Sequence, residues 1–184
     1  MLEWISPRFK IDGGDLLVNG DSLPETNNPF FIYDSGIIKD QYEKLSNALP
    51  DFDIFYAMKA NPNPEVIKLL INLGCGVELA SGGEIDLLRV NGLEPELLFA
   101  GPGKTEAELI KAREQGLYSL NAESENEINM AISLGLPYSV RVNPSWGIGE
   151  DIAMKSGGGS KQFGVDEEQL SDLLSSVESQ PIGL

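Results

Sequence analysis

Polar residues able to do chemistry recur at or near the carboxyl ends of successive apolar runs. Lys59 closes DIFYAM (53–58), and Glu78 lies within GVELA (76–80) with Ser81 just beyond. Asn121 and Glu123 sit at the end of YSLNA (118–122), and Arg141 and Asn143 fall within YSVRVN (138–143). In extended chain alternate residues share a face, which sets Lys59 with Ala57 and Phe55, and Asn143 with Arg141. A desolvated lysine beside another cation gives up its proton more readily and can attack a carbonyl to form a Schiff base. An arginine inside an apolar strand must be paired, so Arg141 has either an ion-pair partner in Glu78 or Glu123 or a ligand contact. Singly, each has a plain reading: a strand-end lysine is ordinarily solvated, and a buried arginine is ordinarily ion-paired. The convergence of a lysine, an arginine and carboxylates at one mouth is the stronger signal.

The elements that must position these groups alternate. Strand candidates are FFIY (30–33), DIFYAM (53–58), GVELA (76–80), LLFA (97–100), YSLNA (118–122) and YSVRVN (138–143). Helix-period segments over Ile37–Leu49, Pro64–Leu73, Gly83–Asn91, Thr105–Gln115 and Ser124–Leu134 lie between them. The repeat of roughly 20 to 23 residues is that of a βα unit with short loops. Ser81 with Glu84 and Ser124 with Glu127 have capping-box spacing. Gly74, Gly92, Gly116 and Gly135 stand just past helical runs, where a left-handed residue is wanted. Six such units with two-sided apolar strands predict a parallel sheet covered by helices. No G-x-G-x-x-G follows the first strand, and GPGKTE (101–106) has Glu106 at the third glycine position, which argues against a dinucleotide fold. The fold class is therefore α/β, a partial (β/α)8 barrel lacking two of its strands, with a further strand beginning at Pro181–Leu184. Ahead of it, RFKIDGGDLLVNGDSL (8–23) predicts one or two short strands turning at Gly13-Gly14 and Gly20-Asp21, followed by a linker from Pro24 to Pro29. Residues 1–28 and 29–184 are the expected domains.

Composition narrows the function. With 13 Lys+Arg against 29 Asp+Glu the net charge is −16, which repels phosphate backbones and argues against nucleic acid as a partner. The chain has no histidine, so it holds no Ser-His or Cys-His dyad and no His-ligated metal, and no metal site is expected. The one cysteine, Cys75 in LGCGVELA, reads as a small buried residue. No run approaches the roughly 20 apolar residues of a membrane span. The opening MLEWISPRFK lacks the basic-then-apolar order of a signal peptide, so a cytoplasmic address is the default expectation.

A resemblance adds to this reading. YAMKANPNPEVIKLL (56–70) resembles the YA-[VM]-KAN signature of the pyridoxal-phosphate-dependent amino-acid decarboxylases of the alanine-racemase-like barrel class, among them the diaminopimelate and ornithine decarboxylases. The likeness continues through LGCGVELASGGEI (73–85), LLFAGPGKTEAEL (97–109), LNAESENEI (120–128) and VRVNP (140–144). It implies that Lys59 holds pyridoxal 5'-phosphate covalently as a Schiff base, that Ala57 lies against its ring, and that Arg141 sits close to it. Glu78, Ser81 and Glu84 match the family's acidic-Ser-Glu region beside the same site. The implied activity is decarboxylation of a small-molecule amino acid, with diaminopimelate, ornithine and a carrier-tethered amino acid all open, by a homodimer. An amino-acid racemase on the same barrel and a non-catalytic homologue are the alternatives.

MKSGGGSKQFGVDEEQL (154–170) resembles the loop and helix start of a branch acting in siderophore or carrier-linked amino-acid processing. Its Gly157-Gly158-Gly159 lacks the P-loop pattern and is expected to be a mobile loop beside the site. The family follows an IGL-like strand start with a ring-stacking histidine, phosphate-binding glycines, an acid for the pyridine nitrogen and a β domain on which residues 8–23 would pack. The resemblance thus implies a chain truncated before them. Such a chain by itself is expected to retain the cofactor weakly, to release no measurable CO₂ and to self-associate through unpaired strand edges.

Overall fold

The computed structural model describes residues 8–23, 25, 28–144, 164–177 and 179–184. The chain divides into two compact units, Met1–Ala48 and Leu49–Leu184.

In the first unit, β1 (Phe9–Asp12), β2 (Asp15–Val18) and β3 (Asp21–Ser22) form an antiparallel meander in that order. Both connections are two-residue turns with positive φ throughout, Gly13-Gly14 and Asn19-Gly20, the geometry that matches the twist of a hairpin. The second such turn is why three strands form where one or two were expected. Helix α1 (Ser35–Ala48) follows. Asp34 caps it: Oδ1 accepts from the Ile37 N–H at 2.9 Å, and Oδ2 accepts from Asn19 Nδ2 at 2.8 Å. These bonds, the Ile37 N–H foremost, hold the Asp34 carboxyl below the usual range. The FFIY run is not a strand. Among the described residues it pairs with nothing, and Phe30, Phe31 and Tyr33 are exposed. Apolar composition makes a strand only where a ladder partner takes up its backbone groups. The first compact unit holds α1 together with the meander.

The second unit alternates as the sequence predicts. β4 (Phe55–Ala57), β5 (Gly76–Leu79), β6 (Leu97–Phe99), β7 (Leu117–Ala122) and β8 (Tyr138–Val140) form one parallel sheet in sequence order. Between them run α2 (Pro64–Asn72), α3 (Gly82–Val90), α4 (Glu106–Glu114) and α5 (Glu125–Leu134). The core lies on one face of the sheet, against the helices: Val77, Leu97, Phe99 and Leu120 are fully buried there, as are Ile67 and Leu109 from the helices. The other face carries Glu78, Ser119, Asn121 and Ser139, so the two-sided apolar strands expected from sequence are one-sided. This is a partial (β/α) barrel with five strands in the sheet. Its next strand begins where expected: Ile182 N–H donates to the Tyr138 carbonyl at 2.8 Å, and Val140 N–H to the Gly183 carbonyl at 3.1 Å. The run 138–143 is not one strand but two. At Arg141 the chain changes partner, and β9 (Val142–Asn143) pairs in parallel with β10 (Val165–Asp166), which leads into α6 (Glu167–Ser176). Gly74, Gly92, Gly116 and Gly135 all have positive φ. Among the described residues no helix is long and apolar enough to cross a membrane.

The entries of α3, α4 and α5 share one device. Ser81, Thr105 and Ser124 each accept from the backbone N–H three residues on, and a glutamate stands at that third position. Only Thr105 and Glu108 close a reciprocal box. Glu84 and Glu127 reach one residue further back, to the N–H groups of Ala80 at 2.6 Å and Glu123 at 2.9 Å. Glu108 also accepts from the Gly82 N–H of the neighbouring helix at 2.8 Å. A Cβ at Gly82 would lie 2.9 Å from Glu108 Cγ, so a larger residue there would push the Glu108 side chain aside.

The Gly82 bond, then those from Thr105, hold the Glu108 carboxyl below its ordinary value. A depressed carboxylate stabilises the fold above its unfolded-state pKa, and the contribution fades as pH falls through the folded value. Glu108→Ala is therefore expected to cost about 1 kcal/mol at neutral pH and much less near pH 3. Urea unfolding at the two pH values checks this. Cys75 is buried, its Sγ donates to the Ile54 carbonyl at 3.2 Å, and burial pushes its thiol up. A disulfide exchange reagent should leave it untouched in the native protein and label it on denaturation.

Candidate active site

The carboxyl ends of β4 to β8 surround a cavity of about 560 Å³, lined among others by Lys59, Glu78, Gly101, Asn121, Glu123 and Arg141. Its size is that of a small-molecule site.

Lys59 is delivered by a tight turn. After Ala57 the chain leaves the strand for a single 3-10 turn, Met58–Ala60, and α2 starts at Pro64 with Asn63 as its cap. Asn61 Oδ1 accepts from the Asn63 N–H at 3.1 Å, and the Tyr56 hydroxyl donates to the Asn61 carbonyl at 3.2 Å. The turn ends the alternation that set Lys59 on the face of Ala57 and Phe55. It buries Met58 completely and leaves the Lys59 side chain 70% exposed. Lys59 is thus an accessible amine, as a strand-end lysine ordinarily is, and not a desolvated one. Its Nζ lies 3.5 Å from Glu78 Oε1. The sheet register explains the meeting, since Glu78 pairs with Ala57, two residues before Lys59.

Arg141 also differs from expectation. It falls at the break between β8 and β9, where its N–H donates to the Ala122 carbonyl and its own carbonyl accepts from Val165. Its side chain is 55% exposed, while Glu123, its partner at 3.4 and 3.5 Å from Nη1, is 3% exposed. The buried member of the pair is the carboxylate, and of the two expected partners it is Glu123. The cavity therefore brings together Lys59, Glu78, Asn121, Glu123 and Arg141. Ala57 and Ser81 are not among its lining residues. Ser81 Oγ accepts from the Glu84 N–H at 3.4 Å and Glu84 takes the Ala80 N–H, so both serve the entry of α3. Asn143 is buried and donates to Asp166 at 3.4 Å. Gly157-Gly158-Gly159 lies outside the described residues.

Sequence reasoning missed the pair behind the wall. The Lys104 side chain is 1% exposed and that of Glu127 4%, with Nζ 3.0 Å from Oε2. Nζ also donates to the carbonyls of Gly101 and Asn121, the latter at 2.8 Å. Glu127 in turn accepts from the N–H groups of Gly103 at 2.9 Å, Lys104 at 3.3 Å and Glu123 at 2.9 Å. Gly103 has φ +73, a conformation glycine adopts without strain, and this turns Lys104 inward. Neither the failed nucleotide fingerprint of GPGKTE nor the family likeness of LLFAGPGKTEAEL marks Lys104 as buried. The available signal was a lysine directly before a helix cap, one βα unit ahead of a capping glutamate.

A family model described as "Pyridoxal-dependent decarboxylase, pyridoxal binding domain" matches residues 35–184. The chain is 36% identical over 177 residues to a diaminopimelate decarboxylase of Aquifex aeolicus, covering 90% of this chain and 42% of that protein. It is also 36% identical over 159 residues to an L-glutamyl-[BtrI acyl-carrier protein] decarboxylase of Niallia circulans, covering 82% and 37%. Its fold is similar to the crystal structure of diaminopimelate decarboxylase from Helicobacter pylori complexed with L-lysine, with a TM-score of 0.71, 28% identity, and coverage of 86% of this chain and 42% of that one. The chain spans about two fifths of the length of these relatives. With residues 35–184 matched, it belongs to the pyridoxal-dependent decarboxylases and carries their pyridoxal-binding domain.

Proposed function

We propose that this chain supplies the lysine-bearing half of a pyridoxal-phosphate-dependent amino-acid decarboxylase, with Lys59 as the residue that holds the cofactor covalently. The observation that carries this is an accessible primary amine, 70% exposed, at the mouth of a parallel barrel beside a carboxylate at 3.5 Å. The donor set fits the group: an amine for its aldehyde, a carboxylate to hold a proton at that amine, and a second cation, Arg141, on the same wall. When bound, the cofactor supplies an electron sink for the electron pair left as CO₂ departs.

The chain's own residues prepare that chemistry. Glu78, with Oε1 3.5 Å from Lys59 Nζ, keeps the amine directed over the cavity. Arg141, held by buried Glu123, offers a guanidinium to the anionic cofactor or to a substrate carboxylate. Ala57, closing β4, is proposed to lie against the ring. The Ser81 hydroxyl, which accepts from Glu84 N–H, keeps its own proton to donate. The substrate class is a free or carrier-tethered α-amino acid, with meso-diaminopimelate the first to assay and the glutamyl-carrier relative the ground for the second. A homodimer in the cytoplasm completes the proposal.

Incubation with saturating pyridoxal phosphate, borohydride reduction and peptide mapping tests it. The reduced adduct is expected on Lys59 and is expected to vanish in Lys59→Ala. An adduct on another lysine, or none, contradicts the reading. Arg141→Met should weaken cofactor binding about tenfold or more, and because it leaves the buried Glu123 carboxylate without its cation it should also lower stability measurably. Equilibrium titration of the cofactor alongside urea unfolding reads both.

A further inference from the structure

Lys104 and Glu127 are not among the residues lining the cavity, yet their hydrogen bonds end on its wall. Lys104 Nζ holds the carbonyls of Gly101 and Asn121, and Glu127 holds the Glu123 N–H. Gly101, Asn121 and Glu123 all line the cavity. Glu123 in turn places its carboxylate 3.4 and 3.5 Å from Arg141 Nη1. As a stabiliser such a pair is inefficient, since the cost of taking two charges out of water offsets their attraction and an apolar pair of equal volume often serves as well. What an apolar pair cannot do is hold carbonyl and N–H groups of two loops in one geometry.

We propose that Lys104 and Glu127 are positioning residues of the cofactor site, acting through Glu123 on Arg141. The inference rests on the pyridoxal phosphate reading above and deepens it. Loss of the Glu127 charge frees Lys104 to pull on Gly101 and Asn121 alone and weakens the grip on the Glu123 main chain. Arg141 then loses its fixed partner, and the cavity loses a cation at a defined place.

The test is a double-mutant cycle on cofactor affinity with no turnover needed. Wild type, E127Q, R141M and E127Q/R141M are titrated with pyridoxal phosphate by absorbance, with thermal unfolding followed in parallel. E127Q is expected to weaken binding about tenfold in the wild-type background. In the R141M background it should add less than about twofold, because the residue it acts through is gone. Additive losses overturn the proposal, as does an E127Q protein that melts lower but binds the cofactor like wild type. Should E127Q fail to fold because Lys104 is left buried without a counter-charge, K104M/E127Q removes both charges, and the same non-additivity with R141M is required of it. Absence of any reducible adduct in wild type is a different failure: it overturns the cofactor reading, and this inference falls with it.

Discussion

The site depends on one buried ion pair. An ammonium with 1% of its side chain exposed must be paired, and Lys104 meets Glu127 at 3.0 Å with two carbonyls completing its shell. The Phe99 ring lies 5.9 Å below the same nitrogen, which adds a weaker cation–π attraction. Because the partners come from the loop after β6 and the first turn of α5, the pair fastens two consecutive βα units at their carboxyl ends. Those ends form the mouth of the barrel.

The same logic repeats around the sheet with neutral partners. Glu108, at the start of α4, takes the Gly82 N–H at the start of α3, and Glu127, at the start of α5, takes the Gly103 N–H before α4. Each glutamate thus satisfies donors of the preceding unit as well as its own helix entry. A helix start ordinarily spends its first N–H groups on water. Here they are tied to the neighbouring repeat, so the loops that carry Gly101, Asn121 and Glu123 are set by the scaffold.

Much of this was legible in the sequence. The βα period, the helix-ending glycines and the Ser81 and Ser124 caps are local signals, and local physics decides them. What failed was non-local. FFIY has strand composition but no ladder partner among the described residues. Lys59 leaves its strand because Asn61, Asn63 and Pro64 build a turn that the alternation of YAM does not reveal. Arg141 sits where its strand changes neighbours, so its exposure follows from the pairing of β10, which no pattern in YSVRVN announces. The Lys104–Glu127 pair joins residues 23 apart in sequence, and only the parallel pairing of β6 with β7 brings them together.

The account's central claim is that one mouth, braced from behind by Lys104 and Glu127, presents Lys59 to a carbonyl cofactor. A crystal structure of the protein after soaking with pyridoxal phosphate and reduction tests it most directly. The account predicts continuous density from Lys59 Nζ to the cofactor, which lies within the cavity bounded by Glu78, Asn121 and Arg141, with the Lys104–Glu127 pair intact beneath it. Cofactor density on a different lysine, or in a cavity away from the β4–β8 carboxyl ends, would contradict it.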